Sequence, residues 1–118
     1  MIDLSKLKTY RRNYTKLKYI EECLDDTGLV SSIIYTKTEP YIEFFKHDSP
    51  TAYIFIEGNE LLLMENSSTV IEGEIEKVLY LVNMYVDEMN TKYESGEWYG
   101  NVRKPSGRNK RDFGQNWG

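Results

Sequence analysis

The chain lacks most of the side chains from which enzyme active sites are built. Its 118 residues include one histidine, His47, and one cysteine, Cys23. A serine or cysteine nucleophile needs a neighbouring base, and histidine is the usual base at neutral pH. One cysteine and one histidine are also too few for a closed zinc site within one chain. We therefore expect a protein that is not an enzyme and has no catalytic residue, metal site or cofactor.

Long apolar runs and disulfide partners are missing as well. The longest apolar stretches, residues 52–56 and 61–64, are far shorter than the roughly 20 residues that cross a membrane. The first residues do not follow the basic-then-apolar order of a signal peptide. A single cysteine cannot form an internal disulfide, which favours a reducing compartment. These absences predict a cytoplasmic protein that does not bind membranes.

What the chain does have is charge sorted into three blocks. Residues 1–20 carry six bases and one acid, for a net charge of +5. Residues 21–98 carry four bases and seventeen acids, for a net −13. Residues 99–118 carry five bases and one acid, for a net +4. Charge patterns of this kind influence partners and association rates rather than fold. They indicate an acidic body with basic ends.

Two amphipathic helices are predicted, one before and one after the strand segments in the sequence. Apolar residues at spacings of three and four predict a helix over about residues 4–26, with Asp3 as its N-cap and Gly28 at its end. Thr69 and Glu72 match a capping box, in which each side chain binds a free backbone donor of the other. We therefore predict that a second helix begins near residue 69 and ends at Gly96.

Between the helices, four segments have the β-branched and aromatic content of strands. They are Leu29–Lys37, Tyr41–His47, Thr51–Glu57 and Glu60–Glu65. Short turns separate them, and the two-residue loop Gly58-Asn59 is a strong hairpin signal. The prediction is one α+β domain over residues 1–98, with two layers. A four-stranded antiparallel meander has both helices on one face, and residues 99–118 form a flexible basic tail rich in glycine and aromatics.

Three groups of residues are candidates for binding. The acidic group is Glu21, Glu22, Asp25, Asp26 and Glu43. The basic helix residues are Arg11, Arg12, Lys16 and Lys18. The basic and aromatic tail residues are Trp98, Arg103, Lys104, Arg108, Lys110, Arg111 and Trp117.

These groups favour two classes of function. In the first, the chain is a small non-catalytic module that docks through its acidic surface on a larger host protein, with a nucleic-acid-binding protein as one such host, and inhibits or modulates it. The faces available for docking are the exposed side of the sheet and the acidic run of the first helix, and Glu43 and Phe45 share one face of their strand. Such a size and charge are typical of small inhibitors carried by phages and other mobile elements, which is an analogy only. In the second, the basic helix and tail bind nucleic acid as an accessory protein. Contact between the basic end of one copy and the acidic body of another, giving a homo-oligomer, is a further alternative.

Overall fold

The computed structural model of the chain describes residues 1–93. These residues form α1 (Leu4–Leu7), α2 (Asn13–Asp26), β1 (Val30–Ile34), β2 (Tyr41–Phe45), β3 (Ala52–Glu57), β4 (Glu60–Glu65), β5 (Ser68–Glu74) and α3 (Ile75–Lys92), in that order. Among them, no helix is both long and apolar enough to cross a membrane. The predicted helix end at Gly96, the domain boundary at residue 98 and the tail lie outside the described residues.

The strands form one antiparallel sheet in which each strand pairs with its neighbour in sequence, in the order β1-β2-β3-β4-β5. Two-residue loops join the last three strands. Gly58 begins the β3–β4 loop with φ +62°, and Asn66 begins the β4–β5 loop with φ +57°. Two-residue hairpins favour a positive φ at this position because it matches the twist of the strands. The hairpin predicted at Gly58-Asn59 is therefore confirmed.

One face of the sheet packs against the helices. Alternate strand residues point to this face, as the pleat requires, and Ile42, Phe44, Ile54, Leu61 and Leu63 are fully buried there. The second helix, α2, packs mainly on β1 and β2, whereas α3 packs on β4 and β5. The predicted α+β fold, with two layers and both helices on one face, is confirmed.

The sheet has five strands, and the prediction of four was wrong. The Thr69–Glu72 pattern, read as a capping box, lies within β5, and α3 begins only at Ile75. A bulge at Val70 shifts the register of β5 on β4. Ile71 in β5 and Ile75 at the start of α3 are both buried, because the strand leads directly into the helix. Their spacing of four residues resembles the apolar stripe of a single helix.

The first predicted helix is interrupted, so a single helix over residues 4–26 was wrong. After α1, the Thr9 amide donates to the Lys6 carbonyl at 3.0 Å and the Thr9 hydroxyl donates to the same oxygen at 2.6 Å. This tight turn ends α1, and α2 begins at Asn13. The predicted N-cap is confirmed, because the Asp3 carboxylate accepts from the Ser5 amide at 2.9 Å.

Candidate binding surface

The helix-free side of the sheet, here called the open face, is the largest candidate surface. Strand alternation places the sequence neighbours of buried residues on the other side, so Tyr53 and Phe55 lie on the open face on either side of buried Ile54. The same alternation and register give its apolar members as Val30, Ile34, Tyr41, Phe45, Tyr53, Phe55, Leu62 and Met64. No described helix covers them.

Aromatic rings occupy the centre of the open face. The ring of Tyr41 stacks on Phe55 with centroids 4.9 Å apart and meets Tyr53 edge-on at 6.0 Å. Towards the β1 edge, Phe45 is 36% exposed and Val30 is 55% exposed. Large contiguous apolar patches are uncommon on monomeric proteins and mark sites of interaction. The other apolar members of the open face are half-buried, so apolar side chains reach solvent on each strand from β1 to β4.

The charge on the open face has one sign. The described strands contain six glutamates and no lysine or arginine. Five of the six lie on the open face by strand register: Glu43, Glu57, Glu60, Glu72 and Glu74. Glu43 is half-buried beside Tyr53, its partner on β3. The open face therefore combines aromatic rings with carboxylates alone.

Three of these carboxylates form a row across neighbouring strands, here called the acid row. Glu57 lies directly opposite Glu60, and Glu60 lies directly opposite Glu74. Among the described ion pairs, only Lys77 to Glu74, at 3.8 Å, reaches the row. Like charges directly opposite each other on a sheet are destabilising. The row therefore weakens the isolated fold, and a cationic partner would relieve the repulsion.

Reversing the central charge of the acid row should stabilise the protein. Glu60→Lys places a cation between two carboxylates, and we expect the free energy of unfolding to rise by about 0.5–1.5 kcal/mol. Urea denaturation in low salt measures the change. The control is Asp87→Lys, an exposed change on α3 that alters the net charge equally. Equal effects of both substitutions would show that total charge, and not the row, is responsible.

The predicted acidic residues lie on two different surfaces. Glu43 belongs to the open face, whereas Glu21, Glu22, Asp25 and Asp26 occupy the last two turns of α2, on the helical side. The last turn of α2 contains no base. Carboxylates near a helix C-terminus are unfavourable for the helix dipole. This end of α2 is thus a second acidic surface, separate from the open face.

The predicted basic helix residues do not form a continuous basic strip. Arg11 and Arg12 are exposed in the break before α2, and the Lys16 ammonium donates to the Arg11 carbonyl at 3.3 Å. Lys18 is two residues beyond Lys16, a spacing that does not share a helix face. Lys16 also lines a cavity of about 240 Å³ together with Glu74 and other residues of both charges. The electrostatic potential around Lys16 is therefore not uniformly positive.

His47 and Cys23, the two side chains considered for catalysis, lie on different elements of the fold. His47 lies in an exposed turn with its Nε2 atom 3.5 Å from an Asp48 oxygen. Cys23 is half-buried in α2 and packs against the core. Within residues 1–93, no cluster of three or more histidine, cysteine, aspartate or glutamate side chains is arranged to hold a metal ion. The absence of catalysis stays a prediction.

A cleft of about 130 Å³ at the end of α3 contains one strongly perturbed group. The Tyr85 hydroxyl donates to Glu65 at 3.0 Å, and Pro50 and Tyr93 also line the cleft. Burial, and then the bond to Glu65, raises the pKa of Tyr85 well above its ordinary value. The neutral phenol is therefore favoured in the folded state.

This perturbation predicts a pH-dependent contribution to stability. The unfolded chain loses the Tyr85 proton first, so the stabilisation is present below about pH 10 and is lost as the pH rises above it. Tyr85→Phe should lower the urea midpoint at neutral pH and reduce its decline between about pH 9 and 11. Denaturation at both ends of this range measures the effect. An unchanged decline in the variant would contradict it.

The predicted tail residues, Trp98, Arg103, Lys104, Arg108, Lys110, Arg111 and Trp117, lie outside the described residues. Sequence reasoning offered the exposed side of the sheet as a docking face and placed Glu43 and Phe45 on one strand face, but it did not identify the aromatic cluster or the acid row. The available signal was that β3 and β4 are apolar on both faces, although helices cover only one. Comparison with known protein families, curated proteins and solved structures found no match for this chain.

Proposed function

We propose that the chain is a small non-catalytic protein-binding module that inhibits or modulates a larger protein, in the manner of small phage-borne inhibitors. The open face is its docking surface, and the partner presents a basic segment that carries apolar side chains. Supporting this is one observation: the helix-free face combines stacked aromatic rings with five glutamates and no base. A nucleic-acid-binding protein is one partner of this kind, because the surface with which it binds phosphates is positively charged.

The chemistry of the open face determines what it can recognise. Burial of aromatic and aliphatic side chains supplies a gross hydrophobic free energy of about 25 cal/mol per Å² of apolar area. Only the part that exceeds the loss of translational, rotational and side-chain freedom appears as affinity. The glutamates add charge complementarity, which steers a basic partner and increases the association rate. They also reject acidic partners, because a carboxylate brought against the acid row adds to an existing repulsion.

Nucleic acid fits this surface poorly. Single strands stack on aromatic rings, but the proteins that bind them surround those rings with cations that neutralise phosphates. Here the rings of Tyr41, Tyr53 and Phe55 have only glutamates beside them on the strands. Nucleic-acid binding would therefore have to use Arg11, Arg12, Lys18 and the tail, and it is kept as an outcome of the experiment.

The experiment compares what two charge-matched variants capture from a cytosolic lysate, with and without nuclease treatment. Phe55→Lys disrupts the centre of the open face, whereas Tyr80→Lys makes the same kind of change on the exposed side of α3. We expect one set of proteins to bind the wild type and Tyr80→Lys but not Phe55→Lys. Bound proteins should be released by salt, because charges more than about 8–10 Å apart are screened at physiological ionic strength.

Leu62→Lys repeats the test on β4 without altering an aromatic ring, and circular dichroism verifies the fold of each variant. Capture that is lost when the lysate is treated with nuclease, or that survives both open-face substitutions, would contradict the proposal. The first result would favour the nucleic-acid alternative. Asp25→Lys then tests whether the acidic end of α2 contributes, and slower association would be its signature.

A further inference from the structure

We propose that residues 94–118, here called the C-terminal segment, bind the open face of the same molecule. Its role as a competitor of the partner rests on the proposed function, but the intramolecular contact itself does not. The contact is inferred from the position of Tyr93, the composition of the segment and the arrangement of groups on the open face.

The segment begins at one end of the sheet, on the side that the helices cover. Tyr93, the last described residue, lines the cleft with Pro50 and Glu65. Glu65 ends β4, and the next pair along the ladder, Met64 with Tyr53, lies on the open face. The segment therefore begins at one end of the two central strands. It needs only to pass that end of the sheet to reach the aromatic rings.

The composition of the segment is complementary to this face. The open face offers rings and glutamates, and the C-terminal segment carries five bases and three acids, with all five bases between residues 103 and 111. Both tryptophans of the chain, Trp98 and Trp117, are in the segment. Aromatic pairs are favourable beyond their buried area. Bases placed against Glu57 and Glu60, the two members of the acid row without a described ion pair, would relieve their repulsion.

Rings and charges follow the same order along the C-terminal segment as along the open face. Along β3, the open face changes from Tyr53 to the acid row at Glu57, four residues or about 13 Å further on. Along the segment, Trp98 and Tyr99 precede Arg103 and Lys104 by about 13–20 Å of extended chain. An extended segment that places Trp98 near Tyr53 would thus bring its first bases to the acid row.

Attachment to the same chain makes even a weak contact effective. Trp98 is five residues beyond Tyr93, a reach of about 17 Å. A short flexible connection gives an effective concentration in the millimolar range. The segment would therefore occupy the open face in the free protein, and a partner would have to displace it.

The two tryptophans provide the test, because both belong to the C-terminal segment. We expect the full chain with Trp117→Phe, which leaves Trp98, to show blue-shifted emission and protection from acrylamide quenching. Adding Phe55→Lys or Glu60→Lys should shift the emission towards that of the urea-unfolded protein. The control is Tyr80→Lys on the outer side of α3, which should leave the emission unchanged. Circular dichroism verifies that each variant is folded.

Three results would overturn the proposal. One is wild-type emission equal to that of the unfolded chain, and another is blue-shifted emission that neither open-face substitution alters. The third is a shift that appears only with increasing concentration and dimer formation, since the segment would then bind a second copy. The lysate experiment tests the proposed function independently of this contact. Partner binding by a protein whose Trp98 is unprotected would contradict the intramolecular contact but not the proposed function. A protected Trp98 in a protein that captures no partner would contradict the proposed function but not the intramolecular contact.

Discussion

Replacing Gly73 with alanine should lower the free energy of unfolding by about 2–5 kcal/mol, from a strained backbone and an overpacked contact together. Gly73 has φ +154°, and a Cβ atom there would lie 2.9 Å from Cγ1 of Val78. This contact falls where β5 passes directly into α3, so neither element can move away alone. Urea denaturation followed by far-ultraviolet circular dichroism measures the loss.

Gly58→Ala is the matched control. Gly58 also has a positive φ, +62°, but no atom lies within 4 Å of the Cβ position. Only the backbone strain remains, and we expect a loss of about 1–2 kcal/mol. A similar loss at both positions would show that the contact with Val78 relaxes without cost, and that β5 and α3 are less rigidly joined than their geometry indicates.

Phe44→Ala should have the other large effect. The Phe44 side chain is fully buried beneath α3, where its ring meets Tyr85 edge-on with centroids 6.2 Å apart. Truncating a buried phenylalanine costs about 3–5 kcal/mol, through lost transfer free energy and the cavity left behind. That is a large part of the 5–15 kcal/mol typical of a whole domain. We expect a folded but much less stable protein.

Phe45→Ala, at the adjacent position, is the control because its side chain points to the open face. It is 36% exposed, so its truncation should cost about 1 kcal/mol or less. The two thermal unfolding midpoints should therefore differ widely. Similar midpoints would mean that Phe44 contributes no more to stability than Phe45, and would contradict the assignment of the helical side as the buried face of the sheet.

The parts of the fold that follow from local chemistry could be predicted from the sequence. Gly58 and Asn59 specify a tight turn, and the alternation around Phe44 specifies which face is buried. β5 could not be predicted in the same way. Thr69 and Glu72 satisfy a helix-start pattern, and only the pairing of β5 with β4 decides between strand and helix. Tertiary pairing here overrides a local signal.

The candidate surface was predictable only in part. The negative charge of the body is visible in the sequence, and Glu43 was placed on a strand face. The acid row was not visible, because Glu57, Glu60 and Glu74 become neighbours only through the registers of two hairpins. Charge counts give the sign of a surface, whereas pairing determines where its charges meet. The aromatic cluster needed the same information, since Tyr41 contacts Phe55 across strands.

The order of the strands in the sheet has a consequence for how the chain folds. Every strand pairs with its neighbour in sequence, so each hairpin can form as soon as its second strand is available. Such local pairing lowers contact order and favours rapid folding. During synthesis, however, the sheet is complete at Glu74, before α3 has been made. At that stage the core side near β4 and β5 has no cover and the open face is apolar as well, so this intermediate is the species most prone to aggregation and to chaperone binding.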